Sequence, residues 1–547
     1  MTNDDSLVVS RALAQLTQLK NDRWAFEEQW NQVVDRVLPR HPGFNRGKRQ
    51  PGTVRTSKMY DATASLGLRH FSAAMDSMIT PRTQKWHGLK AENEALADNP
   101  NVKAYLEQVT NVLFTMRYRW RAAFQQNMGE VYTSLGAFGS GGLMIEDSVS
   151  SNGALYRRVP IQRLYFAEND QGVVDKAYMC WPLTVRQAAR KFGKQNLPVG
   201  MANLLEREPE KVFDFLHVVQ PRFDRDVTKV DPQNMPFESL WIAIEGGKIV
   251  NRGGFRTFPV PIARFYADDD SQYGASPAMD ALPDINMVNE MERTNIKGAQ
   301  KAVDPPLLLP EDGALEGFDL RSGSLNWGGM DDKGNELVKP LLTGQRVDIG
   351  IDYTNQKREV INLAFYVNLF QILVDSPQMT ATEVLQRAQE KGILLAPSMG
   401  RVQSDMLGSM IEREIDIAYH AGLLPEMPDE LIEAGGGVSV EYDSPLNRAM
   451  RAEEGISVLR WQQASAPFIQ ADPRAARVMN SEQIVRGLAD IYSVPSKFVN
   501  TEEIVQQEDE AAQQQAQAAA LLQAAPVAAG AAKDLADANA TVQNARI

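Results

Sequence analysis

The sequence predicts an α+β fold, mainly helical, and three observations support this prediction. Residues 276–303 and 353–374 show helical periodicity over stretches long enough for extended helices. Residues 136–265 instead contain short apolar runs separated by Gly, Asn and Asp turns, which is typical of strands. The 547 residues are 43% hydrophobic and 23% charged, an ordinary globular composition for about three or four domains.

The first long helix has clear start and stop signals. Ser276 is a suitable N-cap, and Pro277 follows at the first helical position, where a missing N–H costs nothing. Pro283 either kinks this helix or marks a second start, and Asp304 precedes two prolines that end it. A polar stripe recurs along one face at spacings of three and four: Asn286, Glu290, Arg293, Lys297 and Lys301.

The second long helix contains the most apolar run of the chain, VINLAFYVNLFQILV at 360–374. Asn362, Asn368 and Gln371 interrupt this run, which is also too short to span a bilayer. Because two long helices cannot bury such a surface alone, we expect an assembly of subunits. The residues assigned to subunit packing are Val360, Leu363, Phe365, Val367, Leu369 and Phe370.

The rest of the chain divides into shorter helices, a basic arm and a tail. Helical spacing predicts helices at 7–38, 61–79, 102–135, 185–192, 380–422, 446–465 and 481–490, with a strand at 438–442. Residues 36–58 are basic and rich in Pro and Gly, which is typical of an irregular arm. Residues 511–547 are rich in Ala and Gln and offer little apolar bulk for packing.

Residues 273–313 resemble the signature region of phage portal proteins. More narrowly, they are similar to the head-to-tail connectors of short-tailed, podovirus-like double-stranded DNA bacteriophages. Further matches are YDATA at 60–64, PRTQKWHGL at 81–89, MTATEV at 379–384 and SPLNRA at 444–449. The order and spacing of these motifs carry the resemblance, which covers residues 7–503.

The resemblance implies a portal fold with wing, stem, clip and crown regions, assembled as a ring that is usually dodecameric. The implied regions are the wing (1–275), first stem helix (276–303), clip (304–352), second stem helix (353–374), tunnel loop and long wing helix (375–422), further wing and crown (423–503) and C-terminal tail (504–547). The tunnel loop falls at either 375–380 or 391–399. The implied role is a conduit for DNA during packaging and ejection, not an enzyme.

Partners and location are also implied by the resemblance. The partners are further copies of the chain, double-stranded DNA, the terminase large subunit, capsid and scaffolding proteins, tail adaptor proteins and internal core proteins. The implied location is the virion, at a capsid vertex, after assembly in the host cytoplasm. The single cysteine, Cys180, excludes an intrachain disulfide and agrees with a reducing compartment.

Charge bears on possible DNA contact. A formal net charge of −13 argues against tight nucleic-acid binding by the whole surface, although an acidic channel wall would let a duplex slide. The polar stripe of the first stem helix either faces the channel or forms salt bridges between subunits. The basic arm and the cluster at 117–121 could contact DNA, other subunits, the capsid or only solvent.

Motifs for catalysis or metal binding are missing from the sequence. GFNRGK at 43–48 is one residue short of a phosphate-binding loop and lacks the following Ser or Thr. GAFGSGG at 136–142 is better interpreted as a tight helix-to-strand junction than as a phosphate cradle. The histidines are scattered, and the acidic run at 268–270 lacks the pattern of a calcium loop. We therefore expect no catalytic residue, metal or cofactor.

Two other functions compete with a portal. A terminase motor would need the phosphate-binding loop that is missing here, and an ATPase assay would detect it. An oligomeric scaffold, or another virion part such as a tail or baseplate component, would differ in electron micrographs. A portal gives a ring with a central hole.

Overall fold

The computed structural model describes most of the chain before residue 444 and parts of the remainder. The described residues are 3–44, 52–97, 99–148, 153–229, 231–267, 271–308, 324–325, 330, 333–336, 339–340, 347–368, 399–443, 455, 457–468, 478–491, 500, 504–505, 508, 511 and 515. The chain forms two compact units, Met1–Asn93 with Tyr105–Met450, and Glu94–Ala104 with Arg451–Ile547.

Helices dominate the N-terminal part of the chain. In order, the elements are α1 (Asn3–Asp22), α2 (Trp24–Val37), α3 (Thr63–Ile79), β1 (His87–Ala91), α4 (Glu94–Ala97), α5 (Pro100–Arg117) and α6 (Phe124–Phe138). The predicted helix at 7–38 is present as α1 and α2, with one turn residue between them, Arg23, whose side chain donates to the carbonyls of Ile161 and Leu164 at 2.8 Å each. The predicted helix at 102–135 is also split, near Ala123, whose φ is 57°.

Antiparallel strands follow, as the turn pattern of residues 136–265 predicts. The elements are β2 (Ser140–Ser148), β3 (Gly153–Val159), β4 (Leu164–Glu168), β5 (Val174–Thr184), α7 (Val185–Phe192), α8 (Val199–Leu204), β6 (Val212–Pro221), β7 (Phe237–Ala243), β8 (Lys248–Phe255) and β9 (Ile262–Arg264). One sheet has the order β4-β5-β6-β7-β8 and another has the order β3-β2-β9. The predicted helix α7 is confirmed: Thr184 and Gln187 form a capping box at its start, and Gly193 ends it with a φ of 87°.

Helix α1 covers one face of the five-stranded sheet. Val9 and Leu16 of α1 are buried in one cluster with Tyr178, Leu216 and Ile242 of the sheet. Removing side chains of this size from water contributes about 1.5–3 kcal/mol each, so α1 is an integral layer of this unit.

Two long helices follow the sheets. The elements are α9 (Pro277–Asp280), α10 (Leu282–Val303), β10 (Leu307–Leu308), which pairs with β11 (Lys339–Pro340), and α11 (Val347–Ala364). The Ser276 cap is confirmed, since its hydroxyl accepts the Met279 N–H at 3.1 Å. The second start is confirmed too, because α10 begins anew at Leu282 with Pro283 in its first turn.

The second long helix begins earlier than the predicted residue 353 and is interrupted. Helix α11 spans Val347–Ala364, Tyr366 then adopts a left-handed φ of 57°, and residues 367–368 are helical again. The end is set by tertiary packing, because Phe365 turns into the core and lies against Gly67 of α3. A Cβ added at Gly67 would come within 2.9 Å of the Phe365 ring. Residues 369–374 lie outside the described residues.

The described chain resumes at residue 399. Residues 399–402 are helical and continue into a π-helical turn (Gln403–Gly408) and then α12 (Ser409–His420), α13 (Asp429–Glu433) and β12 (Val438–Tyr442). Strand β12 confirms the predicted strand and pairs antiparallel with β1. In the smaller unit, residues 457–468 are helical and α14 spans Ser481–Ile491, close to the predicted helices there.

Several predicted segments lie outside the described residues. They are the MTATEV and SPLNRA motifs, most of the clip, almost all of the tail, and both tunnel-loop positions except residue 399. Within the part of the chain that is described, no helix is long and apolar enough to cross a membrane.

Candidate functional site: the stem pair

Helices α10 and α11, here called the stem pair, pack against each other in opposite directions. Asn295 Nδ2 lies 3.3 Å from Thr354 Oγ1, and Lys357 Nζ lies 2.8 Å from Asp284 Oδ1. A later residue of α11 thus contacts an earlier residue of α10, so the two helices are antiparallel. Gly350 allows the close approach, because a Cβ there would lie 2.4 Å from Asn295 Oδ1. The hydrogen bond to Asp284 raises the pKa of Lys357.

A polar hub ties the stem pair to the start of α3. Arg358 lies 2.8 Å from Asp61 Oδ2 and 2.6 Å from Glu292 Oε1. The buried Asn289 side chain accepts the backbone N–H groups of Tyr60 and Asp61 at 2.7 and 3.1 Å. Because buried polar groups require partners, this hub fixes where the stem pair leaves the rest of the subunit.

Sequence analysis missed this hub. Asp61 gives a local signal only as a helix cap, and it does accept the Thr63 N–H at 2.8 Å. Its second role depends on Arg358, which is 297 residues away along the chain. The YDATA motif, which contains Asp61, was the available indication that this segment matters.

Four residues of the polar stripe are exposed in the single chain: Glu290, Arg293, Lys297 and Lys301. Asn286 differs, since it is only half-exposed. At about 100° per residue, the stripe lies on the side of α10 away from the residues that contact α11. Glu290 and Arg293 lie 3.3 Å apart as an exposed ion pair, so the free charge of the stripe is mainly basic.

The residues predicted to pack between subunits divide into two groups. Phe365 and Val367 are 0% and 5% exposed within this one chain, so they are core residues and their assignment to subunit packing is corrected. Val360 and Leu363 are 42% and 60% exposed. Leu369 and Phe370 lie outside the described residues.

The stem pair exposes more apolar surface than the sequence analysis assigned to it. Its apolar side chains that are at least 42% exposed are Met287, Ile296, Val303, Ile349, Ile351, Tyr353, Val360 and Leu363. This number of exposed apolar side chains on one helix pair favours an interaction site there.

The glycine-rich junction behaves as the sequence predicts. Helix α6 ends at Phe138, Gly139 has a φ of 72°, and β2 begins at Ser140. A Cβ added at Gly139 would lie 2.0 Å from the Gly274 carbonyl oxygen, so the junction requires glycine for both its conformation and its space. Residues 45–48 of GFNRGK lie outside the described residues.

The basic and aromatic cluster at 117–121 is not a continuous surface. Arg117 is completely buried and paired with Glu414. Tyr118 accepts a hydrogen bond from Trp86 Nε1 at 3.2 Å. Trp120 is 83% exposed, and the Arg121 guanidinium lies 4.7 Å from its ring. Of Arg117 and Arg121, only Arg121 is exposed, beside Trp120, so the cluster offers a short exposed turn and its contact with DNA stays a prediction.

No group of three or more His, Cys, Asp or Glu side chains within the described residues could hold a metal ion. The acidic run at 268–270 lies outside those residues. His217 instead packs in the core, where it stacks on Trp241 with ring centroids 4.1 Å apart and contacts Ser239 Oγ at 2.9 Å.

Known proteins are similar to this chain over most of its length. The family model described as bacteriophage head to tail connecting protein matches residues 9–499. The chain is 27% identical over 510 residues to the portal protein of Salmonella phage epsilon15, covering 91% of this chain and 89% of that protein. It is 28% identical over 464 residues to the probable portal protein of Bordetella phage BPP-1, covering 82% and 81%.

A solved structure is also similar, the neck of an empty GTA particle computed with C6 symmetry. Its TM-score is 0.37 and its identity 12%, over 78% of this chain and 94% of that chain. The family assignment rests on the sequence matches, which span nearly the whole chain. The chain therefore belongs to the family of bacteriophage head-to-tail connecting proteins, and its role is that of a structural portal rather than an enzyme.

Proposed function

We propose that copies of this subunit close into a ring at one capsid vertex and that double-stranded DNA passes through its central channel. The observation that carries this proposal is the exposed apolar surface of the stem pair, which a single chain leaves in water. Side-by-side packing of identical stem pairs buries that surface, and a closed ring leaves no end uncovered. A dodecamer is the expected size.

The polar stripe faces the channel in this proposal. Packing through the apolar flanks of α10 leaves Arg293, Lys297 and Lys301 toward the axis, where repeated rings of weak basic contacts attract phosphates without holding them. Glu290 opposes adhesion. The alternative is that the same side chains form salt bridges between neighbouring subunits.

The remaining regions provide docking surfaces. Residues 304–352 form the clip, on which the terminase large subunit binds during packaging and tail adaptor proteins bind afterwards. The wing contacts capsid and scaffolding proteins, and internal core proteins bind on the capsid-interior side. Assembly takes place in the host cytoplasm before the ring enters the virion. The family and the named relatives support these roles.

Ring formation is tested by Leu363→Asp. Leu363 is 60% exposed, so the change leaves the fold of the subunit intact but places a charge in the proposed interface. We expect soluble, folded subunits that fail to form rings in light scattering and negative-stain images. Val199→Asp is the matched control, since Val199 is 77% exposed and lies on α8, outside the stem pair.

Wild-type ring yield from Leu363→Asp would contradict the proposed interface. Phe365→Asp is informative beside it, because Phe365 is 0% exposed in the single chain. We expect that variant to misfold as a subunit, which circular dichroism distinguishes from failed assembly. Rings formed by Phe365→Asp would show that neither folding of the subunit nor assembly requires the buried Phe365 side chain.

The orientation of the stripe is tested by replacing Arg293, Lys297 and Lys301 together with Gln. If these residues face the channel, the variant forms rings at wild-type yield, and salt affects the stability of its rings no more than that of wild-type rings. The rate at which DNA passes through the rings then differs from the wild-type rate. If the residues bridge subunits, the rings dissociate at lower temperature and the loss resembles that of wild type in high salt.

A further inference from the structure

The helix that includes α12 contains, near its start, one residue more than a regular α-helix of the same length would hold. Gln403–Gly408 form a π-helical turn between residues 399–402 and α12. A π turn closes its hydrogen bonds over five residues instead of four and so holds one residue more than an α turn. One row of buried side chains crosses this turn in steps of four, at Val402, Met406, Met410 and Glu414, beside a second buried row that includes Leu407 and Ile411. Steps of four drift by about 40° each in an α-helix, and the extra residue offsets this drift along the first row.

Two ion pairs hold this helix, one part-buried and one fully buried. Arg264 Nε of β9 lies 3.0 Å from Asp405 Oδ2, inside the π turn. Arg117 Nε of α5 lies 3.1 Å from Glu414 Oε1, in α12. If the π turn formed closer to the helix N-terminus, the residues between its old and new positions would rotate by about 100° about the helix axis. The pair at Asp405 would then separate, whereas the pair at Glu414 would stay.

We propose that the π turn is a register switch and that the Arg264–Asp405 ion pair is its latch. In the second register, residues 399–405 are turned about the helix axis relative to α12, which remains anchored. The switch is a property of the single subunit and does not depend on ring formation.

The two ion pairs differ in how easily they separate. Arg117 and Glu414 are both 0% exposed, and the Tyr156 hydroxyl also binds Glu414, so separation would leave charges buried and unpaired. Asp405 is 18% exposed and can turn toward solvent. The latch is therefore the contact that opens first.

Arg264 also keeps partners when Asp405 leaves. Its guanidinium contacts the Glu168 carboxylate and donates to the Gly172 carbonyl at 3.0 Å. Asp405 in turn has Arg401 at 4.0 Å, one turn earlier on its own helix. Opening the latch thus leaves no buried charge without a counter-charge, which is what a reversible switch requires.

The sequence of the turn also favours movement. A Cβ added at Gly408 would meet no atom closer than 3.6 Å, so packing does not demand glycine there. Glycine instead lowers the resistance of the backbone to rearrangement. The Tyr442 hydroxyl donates to the Gln403 carbonyl at 2.9 Å and gives the observed register a further contact outside the helix.

Hydrogen exchange of the full chain, measured by mass spectrometry, tests the latch. In Asp405→Asn we expect amide exchange to rise about tenfold over residues 399–408 and to stay unchanged over 411–420. Glu430→Gln, at an exposed position of α13, is the control and should change neither stretch. Unchanged exchange in Asp405→Asn, or an equal rise in both stretches, would overturn the proposal.

Deletion of Ser404 tests the extra residue itself. Ser404 is exposed, and its removal puts Val402 three residues before Met406, so an unbroken α-helix keeps the buried side chains on one face. We expect a folded chain with slower exchange over 399–408 and an undiminished melting temperature. A deletion variant that unfolds or exchanges faster would show that the π turn is a fixed packing element and not a switch.

Discussion

The buried pair of Arg117 and Glu414 should behave as one unit in mutational analysis. Both side chains are 0% exposed, and two bonds join them, one of them at 3.1 Å. Burial alone would lower the pKa of Arg117, but the Glu414 carboxylate reverses this and the pKa is raised. Arg117 also stacks near the Trp86 ring, 4.5 Å from its centroid. The Arg117 guanidinium therefore stays charged although its side chain is fully buried.

Replacing one partner should be far more harmful than replacing both. Arg117→Met leaves a buried carboxylate without a cation, and Glu414→Met leaves a buried guanidinium without an anion. Each single change should lower the free energy of unfolding by about 3–5 kcal/mol. The double variant loses both charges, and apolar side chains fill the space, so its stability should lie within about 1–2 kcal/mol of wild type or above it.

The assay is urea unfolding of the four proteins at one protein concentration, followed by circular dichroism and tryptophan fluorescence. The exposed pair Arg186–Glu210, whose side chains are each 63% exposed, provides the control. Arg186→Met should change the free energy of unfolding by less than about 1 kcal/mol. A loss this small for Arg117→Met, or additive losses in the double variant, would refute the reasoning.

Two further predictions concern pH and glycine. Burial lowers the pKa of His41 to about 4, and those of His87 and His217 well below the ordinary value. The unfolded chain therefore binds protons that the folded chain does not. The free energy of unfolding should fall as pH drops below about 6.5, by up to about 1.4 kcal/mol per pH unit for each of these three histidines. His217→Gln should reduce this dependence on pH, which urea unfolding at pH 7, 6 and 5 measures. Gly139→Ala should destabilise by more than about 2 kcal/mol in thermal unfolding, because its φ is 72° and a Cβ would lie 2.0 Å from a carbonyl oxygen. Gly129→Ala, in α6 with nothing within 4 Å of the new Cβ, should instead leave stability unchanged or raise it by up to about 1 kcal/mol.

Local signals predicted the parts of the fold that are decided by neighbours in sequence. Ser276 and Pro277 predicted the start of the stem, and the predicted helix at 185–192 matches α7, which Gly193 ends. The strand-rich region was also predictable, since alternation and turns are local properties. The end of α11 was not, because it depends on Phe365 packing against Gly67 in a distant helix.

In the candidate site, too, only the features decided by neighbours in sequence were predictable. Helical spacing is local, so the polar stripe could be assigned to one face of α10, and Lys297 and Lys301 are indeed exposed. The division of the α11 apolar residues could not be predicted. Phe365 is in the core and Leu363 is on the surface, yet an apolar residue gives the same signal in both places.

Three buried arginines are a further feature that the sequence analysis did not predict. A charged residue is ordinarily expected at the surface, yet Arg23, Arg117 and Arg264 are 1%, 0% and 2% exposed. Each joins elements far apart in sequence: Arg23 binds carbonyls near Leu164, and Arg117 and Arg264 bind carboxylates on the helix that includes α12. A misplaced apolar contact costs little, whereas a misplaced buried charge costs several kcal/mol, so these pairs strongly favour one arrangement of helices and sheets. It follows that Arg264→Met should lower the melting temperature and that neutral replacements of Glu168 and Asp405 should recover part of the loss; thermal unfolding of the single and triple variants tests this.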